Sequence, residues 1–141
     1  MKNATMKELK ATDLRIGNYV EIRETALLFD DINTSNNYFQ ISELGKCLTR
    51  FNGFSHGEYY KDIKPIELTE EWFLKFGFKS YDTPLGKLFE FRTGGYTWII
   101  DIFGNLHLDY SEYENIANVK YVHQLQNLYF ALTGQELEVK F

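Results

Sequence analysis

The sequence has little of what marks secreted, zinc-binding or membrane proteins. Its single cysteine, Cys47, excludes an internal disulfide and a cysteine cluster for zinc. No stretch of the 141 residues approaches the roughly 18 consecutive apolar residues that a membrane span needs. Residues 1–10 include lysines but lack the apolar stretch of a secretory signal. We therefore expect a cytoplasmic protein that does not enter a membrane.

Signatures of phosphate binding and of catalysis are scarce as well. The chain has no Walker-type loop and no G-x-G-x-x-G motif. Ser55 and His56 are neighbours, but a catalytic triad needs side chains brought together from separated segments. The sequence therefore favours a protein that is not an enzyme, with no catalytic residue and no cofactor.

Basic charge is scarce in the second half of the chain. Residues 1–64 carry nine basic and nine acidic side chains, whereas residues 65–141 carry six and eleven, which accounts for the net charge of −5. Broad nucleic-acid binding requires a basic face, so the distribution argues against it. The neutral first half keeps a nucleic-acid-binding β-barrel open as an alternative.

The first 64 residues are predicted to be mostly β. Gly17 and Asn18 form a turn, after which Tyr19–Ile22 reads as a strand. Residues 38–42 and 47–51 are further candidate strands. Small five-stranded barrels often begin in this way, but the sequence leaves open whether these strands form their own barrel or join the sheet of the second half.

The second half, residues 65–141, predicts a helix, a β meander, a helix and a final strand. Thr69 is placed as the N-cap of a short helix at residues 70–76, and Gly77 suits the left-handed position that follows it. A long amphipathic helix is predicted at residues 119–133. Asn118 is its expected cap, Gly134 its expected end, and residues 136–141 alternate as a strand does.

The predicted meander covers residues 78–110 and turns at Gly94 and Gly95. The expected pairs across this turn are Thr93 with Tyr96, Phe91 with Trp98, and Phe89 with Ile100. This register places Phe89, Phe91, Trp98 and Ile100 on one buried face. A loop at residues 103–105 is expected next. It would pair Ile102 with Leu106, Asp101 with His107, Ile100 with Leu108, and Trp98 with Tyr110.

Together these elements predict a single α+β domain over residues 1–141. Its antiparallel meander packs against the C-terminal amphipathic helix, beside a mostly β N-terminal part. In this register Asp101, His107 and Asp109 share one face of the meander, where they could ligate a divalent metal and serve a metal-assisted hydrolase. The simpler interpretation is a cross-strand charge pair on a solvated face, with no metal bound.

The many aromatic residues are candidates for binding surfaces, although each could equally fill the core. A small ligand such as a signalling nucleotide would need a pocket of aromatic and basic side chains. The candidates for that pocket are Tyr59, Tyr60, Arg92, Tyr96 and Trp98. Tyr121 and Phe130 lie off the main apolar stripe of the long helix and are candidates for a partner or dimer interface. A pocket closed by two subunits would let so small a chain bury a ligand.

Three segments, residues 13–20, 63–78 and 121–134, are similar to motifs of a known group of proteins. The last of them reads YVHQLQNLYFALTG and is the most specific. The group consists of small uncharacterised proteins encoded by phages and mobile elements of Bacteroides-type gut bacteria. The resemblance implies an accessory protein of a mobile element and carries no activity with it. Such a protein is expected to bind a host protein, for example to interfere with a component of the host's defence, or to sequester a small ligand.

Overall fold

The structure, a computed structural model, describes residues 9–22, 38–53, 57–93, 95–109 and 116–140. The chain divides into two compact units, Met1–Ile66 and Glu67–Phe141. In the described residues, strands form two antiparallel sheets and the last element is a helix, which confirms the α+β class. The division falls beside the predicted boundary between residues 64 and 65. That the two parts make one domain stays a prediction.

The described part of the first unit forms one five-stranded antiparallel sheet in the order β4-β3-β2-β1-β5. The strands are β1 (Tyr19–Ile22), β2 (Phe39–Leu44), β3 (Leu48–Phe51), β4 (Gly57–Tyr59) and β5 (Ile63–Lys64). One-turn 3-10 helices lie at Ala11–Asp13 and Tyr60–Asp62. The mostly β prediction is confirmed. The possible small barrel does not form among the described strands: β4 pairs with β3 and β5 with β1, so this sheet is open and does not close on itself.

The predicted turn before β1 exists and is held by a buried side chain. Gly17 has a φ of 98°, which glycine adopts without strain. Asn18 is 0% exposed, and its Oδ1 accepts a hydrogen bond of 2.7 Å from the backbone N–H of Arg15. The N–H of Ile41 in β2 donates to the Asn18 carbonyl at 2.9 Å. The turn is therefore tied into the sheet and packs over an apolar core.

The second unit contains the predicted short helix, meander and long helix. In chain order its elements are α1 (Glu70–Lys75), β6 (Lys79–Thr83), β7 (Gly86–Thr93), β8 (Tyr96–Asp101), β9 (Asn105–Leu108), β10 (Ala117–Asn118) and α2 (Val122–Thr133). Its sheet has the order β10-β9-β8-β7-β6. None of the helices in the described ranges is long and apolar enough to cross a membrane.

The ends of the helices agree with the sequence in part. Gly77 and Gly134 follow α1 and α2 with φ values of 91° and 73°, as predicted. The predicted cap of α2 is wrong: the N-cap is Tyr121, and the Oε1 of Gln124 accepts the N–H of Tyr121 at 3.1 Å. Asn118 belongs to β10 instead, where its Nδ2 donates to the Asn105 side chain at 3.1 Å.

The predicted last strand is also wrong over its described part. Residues 136–140 lie in no strand, although Leu137 is 3% exposed and its neighbours point outward. The alternating pattern therefore reflects an extended segment packed on the unit rather than a paired strand. One backbone hydrogen bond of 2.6 Å, from Lys140 N–H to the Lys75 carbonyl, holds its end. Phe141 lies outside the described residues.

The register of β7 with β8 is confirmed in all three predicted pairs. Gly94 of the connecting turn lies outside the described residues. The buried face carries a chain of aromatic contacts that joins the sheet to both helices. Ring centroids lie 4.1 Å apart for Phe73 and Phe89 and 5.4 Å apart for Trp98 and Tyr129. This face is therefore the core of the second unit.

The predicted register of β8 with β9 is wrong by two residues. Ile100 pairs with Leu106 rather than with Leu108, and the predicted partner Tyr110 lies outside the described residues. The cause is the carboxylate of Asp101, whose Oδ1 accepts the N–H of Phe103 at 2.9 Å and the N–H of Asn105 at 3.0 Å. An aspartate that bonds to the backbone ahead of it ends a strand and begins a turn. The turn therefore comes early and leaves Ile102 and Phe103 at its tip.

Candidate functional site

The structure does not bring together Asp101, His107 and Asp109, the alternative metal cluster of the sequence. Asp101 serves the β8–β9 turn, whereas the Oδ1 of Asp109 accepts the N–H of Thr97 at 2.9 Å, near the other end of β8. Asp101 lies four residues after Thr97 along β8, which is about 13 Å at the usual rise. His107 lies opposite Ile99 rather than Asp101. Among the described residues no group of three or more His, Cys, Asp and Glu side chains is placed to hold a metal ion.

We expect Asp101→Ala to lower the free energy of unfolding by about 2 kcal/mol, because the turn loses its acceptor. Asp101→Asn keeps an oxygen at Oδ1 and should cost about half as much or less. Urea denaturation of the two variants beside the wild type measures the difference. Equal losses in both would show that the charge, rather than the turn, is what the carboxylate supplies.

Residues 53–57 read Gly-Phe-Ser-His-Gly and so match G-x-S-x-G, the pattern of a hydrolase nucleophile elbow. An elbow joins a strand to a helix and exposes its serine on the sharp turn between them. Here the segment joins β3 to β4, which pair antiparallel with Arg50 opposite Gly57. Ser55 and His56 themselves lie outside the described residues. The topology therefore gives this motif the place of a hairpin connection.

The predicted ligand-binding residues of the second unit separate into buried and exposed groups. Trp98 is 1% exposed and packs against Tyr129, so neither face of its ring is open to a ligand. Tyr96 is 56% exposed at the start of β8. Arg92 is exposed, and its Nε lies 3.3 Å from the Oε1 of Glu90. Of these three side chains, Trp98 is therefore closed to a ligand, whereas Tyr96 and Arg92 are exposed.

Tyr59 and Tyr60 belong to the first unit and also have different surroundings. Tyr59 is exposed, with the Nζ of Lys61 5.8 Å from its ring centroid. The hydroxyl of Tyr60 donates a hydrogen bond to the carbonyl of Gly45, and its ring packs partly on the apolar core. Burial, and then the nearby Cys47 thiol, raise the pKa of Tyr60. Tyr60 thus supports the fold, which leaves Tyr59 as the accessible ring of the pair.

The second unit contains a groove of about 460 Å³, which we call the Phe103 groove. Its walls come from the start of α1, from β7, from the β8–β9 turn and from the segment before α2. The stacked rings of Phe73 and Phe89, each 4% exposed, form part of its lining. The other lining residues are Glu67, Leu68, Glu70, Lys87, Asp101, Ile102, Phe103, Gly104, Val119, Lys120 and Tyr121.

Three large apolar side chains are exposed beside this groove and form what we call the turn patch: Leu85, Ile102 and Phe103, which are 92%, 54% and 70% exposed. Leu85 is in the β6–β7 turn and the other two are in the β8–β9 turn. Because β7 pairs with β8, both turns lie at the same end of the sheet. Ile102 also lies over Gly86, since a Cβ there would be 3.1 Å from its Cδ1. Neighbouring exposed apolar residues of this size mark contact surfaces.

The charged residues around the groove are of both signs. The Nζ of Lys87 lies 3.0 Å from the Oδ1 of Asp82 and 3.6 Å from the Oε1 of Glu70. The hydrogen bond and charge of Asp82, and then the charge of Glu70, raise the pKa of Lys87. Glu67 and Lys120 are exposed and also line the groove. With Asp101, which is hydrogen-bonded within its turn, three acidic and two basic side chains lie along the groove.

The two predicted interface residues lie in different places. Tyr121 lines the Phe103 groove and stacks against His123, with ring centroids 5.9 Å apart. Phe130 is 39% exposed on α2 and does not line the groove. The turn patch was not predicted, because the expected register placed Ile102 in the sheet, paired with Leu106. The available signal was an apolar pair, Ile102 and Phe103, directly before the turn residues Gly104 and Asn105.

The three segments that resemble mobile-element proteins coincide with structural elements. The first segment, residues 13–20, contains the turn held by Asn18 and enters β1. The second, residues 63–78, runs from β5 through α1, and the third, residues 121–134, forms α2 with its caps. The resemblance itself stays a prediction. Comparison of the chain with protein-family models, curated proteins and solved structures gives no match.

Proposed function

We propose that this protein is a non-enzymatic binding protein that occupies the surface of another protein through its turn patch. The observation that supports the proposal is the exposure of Leu85, Ile102 and Phe103, at 92%, 54% and 70%, on adjacent turns beside a groove. Turn positions of this kind usually hold polar residues. Because all three side chains are exposed, they do not contribute to packing of the core.

The two turns are held in place before any partner arrives. The Oγ1 of Thr83 accepts the N–H of Leu85 at 3.2 Å and donates to the Gly86 carbonyl at 2.6 Å. Asp101 makes the corresponding hydrogen bonds in the β8–β9 turn. Because ordering a loop on binding costs free energy, a patch on ordered turns gives up less affinity than one on a loose loop. This is the behaviour expected of a contact surface.

Charge favours a protein as the partner over a nucleic acid or a phosphorylated ligand. The second unit has six basic and eleven acidic residues, so it repels phosphate groups in general. Inside the groove, Lys87 already has two carboxylate neighbours, Asp82 and Glu70. A signalling nucleotide would have to compete with both. A small ligand therefore remains a second candidate, based on the groove volume of about 460 Å³, which lies in the range of ligand pockets.

The resemblance to phage and mobile-element proteins suggests the class of partner, a protein of the host cell. An accessory protein of a mobile element acts in the cytoplasm of its host, and occupying a host defence or regulatory protein requires no catalytic residue. An exposed apolar anchor on a turn held by hydrogen bonds fits this role.

The proposal predicts that Phe103→Ser reduces capture of the host partner at least about tenfold, because exposed aromatic anchors carry much of the energy of an interface. Wild type and variant, each with a photo-crosslinking residue at position 85, would be incubated with lysate of a Bacteroides-type bacterium. Mass spectrometry would then identify the crosslinked protein, and native mass spectrometry would detect any small ligand.

Phe130→Ser is the matched control, since it removes an exposed phenylalanine of the same unit that lies away from the groove. It should leave capture unchanged. Loss of the partner with Phe130→Ser and not with Phe103→Ser would move the contact surface to α2. A small-mass adduct without a protein partner would instead support ligand sequestration.

A further inference from the structure

We propose that the pair Asn52 and Gly53 is a site of spontaneous modification, at which water converts the asparagine side chain into a carboxylate. The pair lies in the first unit, directly after β3, where the connection to β4 begins. The inference is independent of the contact surface proposed above, which belongs to the second unit. It states where the protein acquires a new negative charge and which hydrogen bonds that charge disturbs.

The sequence distinguishes Asn52 from every other asparagine of the chain, because Asn52 alone is followed by glycine. Asparagine is one of the residues that limit the chemical lifetime of a protein. The carbonyl carbon of its side chain can be attacked by the backbone nitrogen of the next residue. A glycine presents that nitrogen without a Cβ to shield it and with the widest choice of backbone dihedral angles. The pair therefore has the composition that most favours this attack.

The structure leaves both residues of the pair accessible to water. Asn52 and Gly53 are exposed and form a turn. Gly53 has a φ of 85°, and none of the described atoms lies within 4 Å of a Cβ placed on it. By contrast, Asn18 is 0% exposed. The described asparagines other than Asn52 are followed by large side chains, namely Tyr19, Leu106, Val119 and Leu128. Sequence and exposure thus select the same residue.

The reaction requires water and its hydroxide ion and no other reactant. The backbone nitrogen of Gly53 gives its proton to hydroxide and attacks Cγ of Asn52, which forms a C–N bond and closes a cyclic succinimide. The bond between Cγ and Nδ2 breaks, and this nitrogen takes a proton from water and leaves as ammonia. Water then opens the ring at either of its carbonyl groups, which gives aspartate or isoaspartate. Nothing is oxidised or reduced in these steps.

The new carboxylate would interrupt a hydrogen-bonded connection between two turns. The Nδ2 of Asn52 donates to the Oε1 of Gln40 at 2.8 Å, and the Nε2 of Gln40 donates to the Gly17 carbonyl at 3.2 Å. An ionised carboxylate only accepts hydrogen bonds, so its oxygens would face the Oε1 of Gln40. If the Gln40 amide rotates to donate to the carboxylate, it gives up its bond to Gly17. Modification of Asn52 therefore loosens the turn before β1 as well.

Peptide mapping by mass spectrometry tests the site on the full-length protein. A synthetic peptide of residues 49–57 would be incubated in parallel at mildly alkaline pH until it is converted. We expect the protein fragment that contains Asn52 to gain about 1 Da and to separate into aspartate and isoaspartate forms. If the peptide is converted and Asn52 of the folded protein is not, the inference is overturned.

Gly53→Ala is the matched control for the chemistry. It should slow the conversion of Asn52 at least about tenfold, because a Cβ shields the attacking nitrogen and restricts the backbone. Circular dichroism would check that the variant is folded, which we expect because the added Cβ meets none of the described atoms. Conversion at the wild-type rate in this variant would contradict attack by the nitrogen of residue 53.

Asn52→Asp tests the structural consequence, because it introduces the charge of the product directly. The N–H of Gly17 donates to the Ile41 carbonyl and the N–H of Ile41 donates to the Asn18 carbonyl, at 2.8 and 2.9 Å. Amide hydrogen exchange at Gly17 and Ile41 should become at least about threefold faster, because the turn opens more often. Exchange in the second unit should stay unchanged. Wild-type exchange at both amides would overturn the inferred coupling to this turn.

Discussion

Gly104→Ala is expected to destabilise the second unit by about 3 kcal/mol or more, a large part of the roughly 5–15 kcal/mol by which folded domains are stable. Gly104 has a φ of 84°, in the left-handed region that an alanine occupies only with strain. A Cβ at this position would also lie 2.1 Å from the carbonyl oxygen of Val119. That oxygen cannot move freely, because the N–H of Val119 donates to the Gly104 carbonyl at 2.8 Å.

The matched control is Gly95→Ala in the preceding turn. Gly95 has the same φ of 84°, but nothing lies within 4 Å of a Cβ placed there. Gly95→Ala should lower the free energy of unfolding by only about 1 kcal/mol, the strain of placing alanine at a positive φ. Denaturation followed by tryptophan fluorescence is suitable because both tryptophans, Trp72 and Trp98, are buried in the second unit. Equal losses for the two variants would show that Val119 does not approach Gly104 as closely as described.

Trp98→Ala should cost about 3–5 kcal/mol, the range for truncating a large buried aromatic side chain. Trp98 is 1% exposed and packs against Tyr129, whose hydroxyl lies 3.1 Å from the Oγ1 of Thr93. Removing the indole would leave a cavity between the sheet and α2. Urea denaturation followed by circular dichroism measures the loss independently of the missing fluorophore.

Tyr96→Ala serves as the control for this experiment. Both residues belong to β8 and both were candidates for stacking a ligand, but Tyr96 is 56% exposed. Its replacement should change the free energy of unfolding by no more than about 0.5 kcal/mol. If Trp98→Ala were as mild as Tyr96→Ala, the indole would be accessible, and its role as a ligand-binding residue would deserve a new test.

The candidate site could be predicted from the sequence only in its parts. Tyr121 was identified because it lies off the apolar stripe of a helix, which is a local pattern. The turn patch depended on the register of β8 with β9, and one side chain, Asp101, decided it. The sequence shows that an aspartate is present at this position but not whether its carboxylate binds the backbone, a partner strand or a metal. The same uncertainty led to the hypothesis that Asp101, His107 and Asp109 form a metal cluster.

The local elements of this protein were determined by the sequence itself, because their signals act over a few residues. The glycines after α1 and α2, the alternating pattern of β7 and β8, and the turn at Gly17 and Asn18 all appear where they were predicted. What only the tertiary structure decided involves contacts between distant segments. The open edges of the first sheet, the early β8–β9 turn, β10 and the unpaired segment after α2 depend on which groups compete for a backbone hydrogen bond. Such competition is resolved in three dimensions, and it is what exposes Phe103 beside its groove.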